Sequence, residues 1–397
     1  NSNMTVRANK PAFNIREKLK ELERPIGLKG SELMKSETAQ DARDLVSAGR
    51  KNMIINGDMR IAQRSNSAAT TNNSYNTVDR WSTWINYGTG GITMSQASAA
   101  PPGFFKSLQY YNNTNATNPA YHFVEQKIEA QNISQLKMGT SDAEYMTLSF
   151  WVRSSRTGTF NVEFSDDDGS HHAVKKYTIN NAATWEYKTI TIPPATNTGV
   201  PTYDNTVGLT VHWWLAGSGS YNGTSADGTW QTYSTTRRND GGNTTFTDPD
   251  YWQLTGVQLE VGKNATDFEH RSIGEELTLC QRYFQRIGGE GSGGSADYNN
   301  YIASGFTDSN GSNFYGGANL KVSMRTSPTI TFDGTISTLG YTHPGLGWAA
   351  NSLAAYWSCP QSYVVRISSA TAGGNTGYGA YARVQNNNSQ LNFSAEL

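Results

Sequence analysis

The sequence predicts a mainly β protein with a short N-terminal helical segment, an antiparallel jelly-roll-like β-sandwich and a smaller C-terminal β domain. Apolar residues recur at helical spacing only in the first 50 residues. From Lys51 onward they alternate with polar residues, and turn residues separate the alternating stretches. The composition agrees, because 11% aromatic and only 16% charged residues suit short strands joined by turns rich in Asn and Gly.

Residues 1–50 are predicted to form an N-terminal helical anchor. Lys, Arg and Glu are concentrated there, and apolar residues from Phe13 to Leu22 follow a helical spacing that ends at Pro25. A second short helix is predicted from Thr38 to about Ala48. Helices this short are marginal alone, so we expect the segment to pack against its own copies, the next domain or a different protein.

Residues 51–272 are predicted to form the β-sandwich. Six stretches each place apolar side chains on one face, and turn signals such as Asp168-Gly169 and Pro193-Pro194 separate them. The predicted strands are Thr147–Arg153, Thr159–Phe164, Val174–Ile179, Tyr187–Ile192, Val207–Trp213 and Trp252–Val261.

Residues 273–397 are predicted to form a linker followed by a C-terminal β tip domain. Leu277–Ile287 is predicted to be a short helix or an extended linker, and Gly288–Gly294 a flexible hinge. The predicted strands of the tip are Tyr301–Phe306, Asn319–Met324, Thr329–Phe332 and Tyr363–Ile367.

Charge and hydropathy exclude several classes of partner. A net charge of −1 offers no attraction to nucleic acid. No stretch approaches the roughly 20 apolar residues that span a bilayer, so we expect no membrane insertion. Asn1–Lys10 lacks the apolar run of a secretory signal, so we expect the chain to be made and kept in a cytoplasm. Cys280 and Cys359 are predicted to be unpaired thiols, with a disulfide as the alternative.

No catalytic motif is present, so the sequence predicts a protein that is not an enzyme. It has no nucleophile elbow, no phosphate-binding loop and no metalloprotease motif. Asp166, Asp167 and Asp168 form its most acidic point, for which a solvated turn is the first interpretation. A structural Ca²⁺ bound by these carboxylates is the alternative, with few ligands for that ion; no other cofactor is expected.

The abundant aromatic residues indicate glycan binding. Flat rings stack on sugars, and amide side chains bond sugar hydroxyls, so aromatic residues in polar loops can form a glycan-binding surface. A scaffolding role is the alternative for each of them. The candidates lie in or beside polar loops and are Trp84, Trp230, Tyr233, Tyr298, Tyr301 and Tyr315.

Two segments carry a family resemblance. The first is Lys51–Arg64 (KNMIINGDMRIAQR), followed by Asp79-Arg80-Trp81; the second runs from Leu254 to Phe284 and includes the stretch LTGVQLEVG. Together they resemble tail-fibre-like and appendage structural proteins of tailed bacteriophages, of the marine and cyanobacterial phage type. In that family such motifs bracket a β-sandwich that is like a carbohydrate-binding module.

The resemblance implies a structural subunit of a virion fibre or appendage, assembled in the host cytoplasm. It implies a homotrimer that contacts other virion proteins through residues 1–50 and host cell-surface polysaccharide through its distal part. Two alternatives remain, a head-decoration or collar protein without a receptor role and a polysaccharide-degrading tailspike.

Overall fold

The computed structural model describes residues 51–69, 73–86, 91–112, 121–166, 169–225, 227–247, 249–288, 301–343, 346–369, 379–384 and 389–397. The predicted N-terminal anchor therefore lies outside the described residues. One compact unit extends from Lys51 to Leu397. Its strands form antiparallel sheets, which confirms the mainly β class and the sandwich. No helix in the described part is long and apolar enough to cross a bilayer.

Two six-stranded sheets form the sandwich. The first has the order β1-β3-β4-β12-β6-β9 and the second the order β11-β8-β7-β10-β5-β2. Short 3₁₀ helices occupy Ala130–Leu136, Gly219–Tyr221 and Thr235–Arg237. The strands are β1 (Ser67–Ala69), β2 (Ser82–Asn86), β3 (Ile92–Ala97), β4 (Ser107–Asn112), β5 (Tyr121–Glu129), β6 (Met146–Ser154), β7 (Gly158–Asp166), β8 (His171–Ile179), β9 (Glu186–Ile192), β10 (Val207–Gly217), β11 (Gln231–Thr232) and β12 (Tyr251–Val261).

Alternation of side chains builds the sandwich core. Phe160, Val162 and Phe164 of β7 are fully buried between the sheets, because residues two apart on a strand share a face. Trp213 of β10 packs against Trp81 with ring centroids 5.3 Å apart. All six predicted sandwich strands are present, with bounds shifted by a few residues, whereas β1–β5 and β11 were not predicted.

The C-terminal part has its own hydrophobic core and two further sheets. The smaller sheet has the order β13-β22-β16 and the larger one the order β18-β17-β21-β14-β15-β20-β19. Another 3₁₀ helix spans Ile336–Thr338. The elements are helix α1 (Ile273–Gln281) and strands β13 (Phe284–Ile287), β14 (Tyr301–Thr307), β15 (Asn313–Asn319), β16 (Thr329–Asp333), β17 (Leu339–His343), β18 (Leu346–Ala349), β19 (Ser352–Ser358), β20 (Ser362–Ser368), β21 (Gly379–Val384) and β22 (Gln390–Ser394).

One strand prediction for this part is wrong. The predicted strand Asn319–Met324 lies mostly outside strands, because the pairing strand is Asn313–Asn319. The stretch Leu277–Ile287, predicted to be a short helix or an extended linker, is helical as far as Gln281. It ends in β13, whose Phe284 pairs with Ser394 of β22. The Gly288–Gly294 segment, described only at Gly288, therefore follows a strand of the C-terminal sheets and does not separate them from the sandwich.

The first resemblance segment folds onto the second through asparagine side chains. Asn52 accepts hydrogen bonds from Ile54 N and Leu259 N, both at 3.0 Å, and donates one to Val257 O at 3.0 Å. Gly57 fits beside β12 because a Cβ there would lie 2.2 Å from Val257 O. The side chain of Asn52 thus substitutes for a strand partner at this corner.

Asn56 extends the same corner to the turn at Asp79. It has a φ of 57°, a left-handed conformation that Asn tolerates better than most residues. Its amide donates to Ile61 O at 2.8 Å and to Asp79 O at 3.0 Å. The Trp81 indole donates to Asn56 O at 3.1 Å, so the corner holds one of the tryptophan rings of the core.

A buried junction joins the sandwich to the C-terminal sheets. Arg80 is 1% exposed, pairs with Glu396 and donates to Lys127 O at 2.7 Å. Its guanidinium lies 3.5 Å from the centre of the Tyr283 ring. Tyr283 in turn donates to Glu129. Residues from both parts therefore share one polar interior.

We expect Asn52→Ala to lower the free energy of unfolding by about 3 kcal/mol. The substitution leaves the buried amides of Ile54 and Leu259 without their acceptor, at roughly 1–3 kcal/mol for each unsatisfied group. Urea unfolding followed by tryptophan fluorescence measures the change. Asn310→Ala, at an exposed turn, is the matched control and should change stability by less than about 1 kcal/mol. Equal losses in both variants would contradict the role of Asn52.

Candidate functional site

Charged side chains line the outer face of the second sheet, the face that points away from the sandwich core. Glu125 on β5 stands opposite His212 on β10, and His212 stands opposite Glu163 on β7. In the adjacent row, Trp214 stands opposite Phe123. We refer to five of these residues as the charged cluster. Its members are Glu125, Glu163, His172, His212 and Arg238.

Glu163 is a fully buried member of the charged cluster. Its carboxylate accepts from Arg238 Nε at 2.8 and 3.0 Å and from Trp214 Nε1 at 2.8 Å, and it lies 2.9 Å from His172 Nδ1. Burial alone would raise the pKa of Glu163. The Arg238 charge and the His172 contact outweigh that effect and hold its pKa well below the ordinary value.

Glu125 has a similar set of partners on the other side of β10. It accepts from Trp84 Nε1 at 2.8 Å and from Ser82 Oγ at 3.0 Å, and His212 Nδ1 lies 3.0 Å away. Burial opposes its ionisation, but these donors lower its pKa below the ordinary value. Both carboxylates are therefore ionised and already saturated with donors from the protein.

The segment between β10 and β12 covers this face. Arg238 lies 4.7 Å from the ring centre of Trp214 and 5.1 Å from that of Phe123. Trp84 stacks on Phe123 at 6.2 Å, and Tyr233, 37% exposed, contacts His172. The structure thus brings two predicted site residues, Trp84 and Tyr233, to opposite margins of the charged cluster.

Trp230 does not offer a ligand surface. It is 4% exposed, belongs to the sandwich core and donates from its indole to Pro193 O at 3.1 Å. The prediction that it binds glycan is wrong for this reason. The polar residues around Trp230 in the sequence suggested an exposed loop, but burial of the large indole is more favourable than its exposure.

A second aromatic surface lies on the outer face of the seven-stranded sheet. Phe306 stands opposite Tyr315 across β14 and β15, and their rings stack at 6.0 Å. The Tyr356 ring meets Tyr315 edge-on at 5.3 Å. We name this surface the platform. Its members are Tyr301, Phe306, Tyr315, Tyr356 and Trp357.

The platform is exposed, in contrast to the charged cluster. Exposure is 66% for Tyr356, 56% for Phe306, 53% for Trp357 and 45% for Tyr301. A register shift in β19 between Ala355 and Trp357 adds one residue to the strand, which brings adjacent aromatic residues toward one face. Contiguous exposed rings of this kind mark binding surfaces.

The polar neighbours of the platform can supply hydrogen bonds. Tyr301 Oη lies 2.7 Å from Ser304 Oγ, and the exposed Arg366 stands opposite Tyr315 on β20. Gly317, opposite Val364 on the same face, adds no side chain between the rings. The arrangement offers flat apolar faces beside hydroxyl and guanidinium groups, which is the chemistry that recognises saccharides.

The remaining predicted site residues are only partly described. Asp166 is 3% exposed and accepts from His171 N at 2.9 Å and Ser170 Oγ at 3.1 Å, so its carboxylate is used within its own turn. Asp167, Asp168 and Tyr298 lie outside the described residues, and the Ca²⁺ site stays a prediction. No group of three or more His, Cys, Asp or Glu side chains in the described ranges could hold a metal ion. Cys280 and Cys359 are free thiols.

Sequence reasoning missed Phe306, Tyr356 and Trp357 of the platform, and all of the charged cluster. A signal for Glu163 was present in the sequence, because it occupies an outer-face position between the core residues Val162 and Phe164. That pattern does not show that the outer face is covered. The signal for Tyr356 and Trp357 was weaker, since two adjacent rings on one face require a bulge that composition does not reveal.

We expect acid to destabilise the protein through Glu163 and Glu125. Because their folded pKa values lie below the unfolded value of about 4.3, the stability they contribute is present above that pH and is lost as pH falls below it. The melting temperature measured from pH 7 to pH 2 should therefore fall below about pH 4.5. Glu163→Gln should lower the melting temperature at pH 7 and flatten the acid decline.

The control for this measurement is Glu144→Gln, at a carboxylate that is 36% exposed. It should follow the wild-type profile in both position and slope. A Glu163→Gln profile with an unchanged acid slope would show that Glu163 does not take up a proton on unfolding.

The sequence matches no protein-family model and no curated protein. Among solved structures, the chain is similar to a CBM4 module at 16% identity, covering 52% of this chain and 98% of the module, with a TM-score of 0.29. It is similar to TmCBM61, solved with β-1,4-galactotriose, at 9% identity, 54% and 100% coverage and a TM-score of 0.29. A third is the CBM22-1 xylan-binding domain from Paenibacillus barcinonensis Xyn10C, at 10% identity, 55% and 100% coverage and a TM-score of 0.24. The neighbours of this chain are thus carbohydrate-binding modules.

Proposed function

We propose that this chain is a non-enzymatic structural subunit of a tailed-phage virion, a fibre or related appendage, that binds bacterial surface glycans through the platform. The single observation that carries glycan binding is the group of four aromatic side chains exposed by 45–66% on one sheet face. The resemblance of Lys51–Arg64 and Leu254–Phe284 to phage appendage proteins supports the virion role. Attachment through residues 1–50 and assembly as a homotrimer are part of the proposal.

Weak single sites suit such a subunit. One saccharide stacked on exposed rings typically gives affinity near the millimolar range, about −4 kcal/mol. Three copies in a trimer, and several trimers on a particle, raise the effective affinity without any new contact. The platform therefore needs no deep pocket to hold a particle on a cell.

The charged cluster supports a binding role over an enzymatic one. Glu125 and Glu163 lie on the two strands that neighbour β10. They are the candidates for glycosidase chemistry, because a glycosidase needs two carboxyl groups on either side of a cleft. A glycosidase acid needs a raised pKa so that it can deliver a proton. Both of these carboxyl groups have lowered pKa values and bonded, buried oxygens, so we assign them to stability.

We expect Trp357→Ala to weaken binding to host surface polysaccharide about tenfold. Loss of one stacking ring removes roughly 0.5–1.5 kcal/mol beyond its area, and 1.4 kcal/mol corresponds to tenfold. Biolayer interferometry with polysaccharide extracted from the host measures the change. Tyr187→Ala is the matched control. The Tyr187 side chain is 45% exposed, close to the 53% of Trp357, but it lies on the sandwich.

Unchanged binding in Trp357→Ala would refute the platform as the glycan site. If that variant also changed the mass measured by light scattering, the platform would instead be an interface between copies. An interface between copies is the competing role for the platform. The reason is that β19 is an edge strand and has no charged residue, so it can pair with a strand of another chain.

We expect a chain that lacks residues 1–50 to fold but to be missing from particles. The compact unit from Lys51 to Leu397 contains both hydrophobic cores, so removal of the proposed anchor should leave the circular dichroism spectrum of a β protein. Particles assembled with the shortened chain, purified and probed with an antibody to the sandwich, measure incorporation. Normal occupancy would contradict attachment through this segment.

A further inference from the structure

A cleft lies where the sandwich meets the three-stranded sheet, away from the platform. It encloses about 380 Å³, within the range of natural ligand sites, which often form between structural units. One wall is the segment that precedes β2, and the other is the outer face of the sheet β13-β22-β16. Its lining consists of Arg64, Ser65, Ala68, Tyr75, Asn76, Phe284, Arg286, Thr331, Asp333, Asn392 and Ser394.

Strand register builds the floor of this cleft. Arg286 on β13, Asn392 on β22 and Thr331 on β16 stand in one row across the sheet. Arg286 Nε donates to Asn392 Oδ1 at 3.2 Å, and Arg286 Nη2 lies 3.5 Å from Asp333 Oδ2. The row therefore presents guanidinium, amide and hydroxyl groups side by side, and Asp333 adds a carboxylate beside Arg286, so donors and acceptors occupy neighbouring positions.

The opposite wall carries the Tyr75 ring and Arg64, which reaches across to Phe284 of β13. Arg64 stacks on Phe284 at 3.7 Å and lies 5.9 Å from the ring centre of Tyr75. Tyr75 donates from its hydroxyl to Leu397 O at 3.3 Å. These contacts fix the wall before a ligand arrives, which reduces the ordering that binding requires.

The charges in the cleft are already balanced. The Arg64 guanidinium lies 2.9 Å from Glu396 and 3.8 Å from Asp79. Burial raises the pKa of Asp79 to about 6, which still leaves it mostly ionised at neutral pH. Arg286 is paired with Asp333, whose side chain is 56% exposed and would repel an anion. The cleft thus favours an uncharged ligand rich in hydroxyl groups over a carboxylate or a phosphate.

We propose that this cleft binds one uncharged sugar ring, held by the Arg286–Asn392–Thr331 row against the Tyr75 wall. This is a second saccharide site, separate from the platform, and it goes beyond the proposed function. Adjacent donor and acceptor groups match the vicinal hydroxyls of a sugar, and the exposed mouth at Asp333 lets a longer glycan extend outward.

Saturation-transfer-difference NMR on the full chain tests this proposal. The probes are the methyl glycosides of glucose, galactose, mannose and N-acetylglucosamine, with methyl glucuronide as the charged comparison. All measurements use the Trp357→Ala background, in which platform binding should be weakened about tenfold. We expect at least one neutral glycoside to give a signal, and methyl glucuronide to give a weaker signal than methyl glucoside.

Two substitutions in the row assign the signal to the cleft. Asn392→Leu and the nearly isosteric Thr331→Val should each reduce it about fivefold or more, whereas the exposed control Asn310→Leu should leave it unchanged. Melting temperatures verify that each variant is folded. No signal with any neutral probe, a stronger signal with the glucuronide, or a signal insensitive to both row variants would each overturn the proposal. Because neither Asn392 nor Thr331 belongs to the platform, loss of the signal in these variants assigns it to the cleft whether or not the platform binds glycan.

Discussion

The architecture depends on the burial of one cation, Arg80. This residue has a φ of 75° and is 1% exposed, so the chain holds a large charged side chain in an unfavourable backbone conformation inside the protein. Glu396, the Lys127 carbonyl and the Tyr283 ring compensate for the lost water. Removal of one partner from a buried pair typically costs 3–5 kcal/mol, because it leaves the other charge uncompensated.

Arg80 also connects segments that are far apart in sequence. Its partner Glu396 is 316 residues away, and the corner at Asn52 bonds to Leu259 across 207 residues. Contacts between residues this far apart in sequence are slow to form during folding, because the chain must first lose the entropy of closing a long loop. The two resemblance segments, which stand at opposite ends of the sandwich in the sequence, are therefore in direct contact in the fold.

Period-two alternation was enough to predict the mainly β class and the longest strands. The strand from Gly158 to Asp166, for example, shows its buried face directly as Phe160, Val162 and Phe164. Alternation could not predict the strand Tyr121–Glu129, because the polar residues His122 and Gln126 share its core-facing side with Val124 and Ile128. It also could not locate Phe284–Ile287 in a sheet, since its partner strand follows more than 100 residues later.

The same residue types serve opposite purposes on the two outer faces. On the second sandwich sheet, the Trp84 indole donates to Glu125. Arg238 covers the neighbouring rings of Phe123 and Trp214. On the seven-stranded sheet, no described segment covers Phe306 or Tyr356, and both remain more than half exposed. Position in the sequence beside polar residues could not separate these cases, because the distinction depends on which loop folds back over which face.

The buried junction around Arg80 limits where recombination can replace the C-terminal part of the chain. A recombination breakpoint at the glycine-rich segment after Gly288 would separate β13 from β22, although Phe284 and Ser394 pair across the sheet. It would also pair a foreign C-terminal sequence with the resident Arg80 and Glu129. A crossover before α1 would replace the same partners, Tyr283 and Glu396. A viable crossover must therefore carry compatible residues on both sides of the junction, so this architecture should diversify in surface loops more readily than by replacement of the whole end.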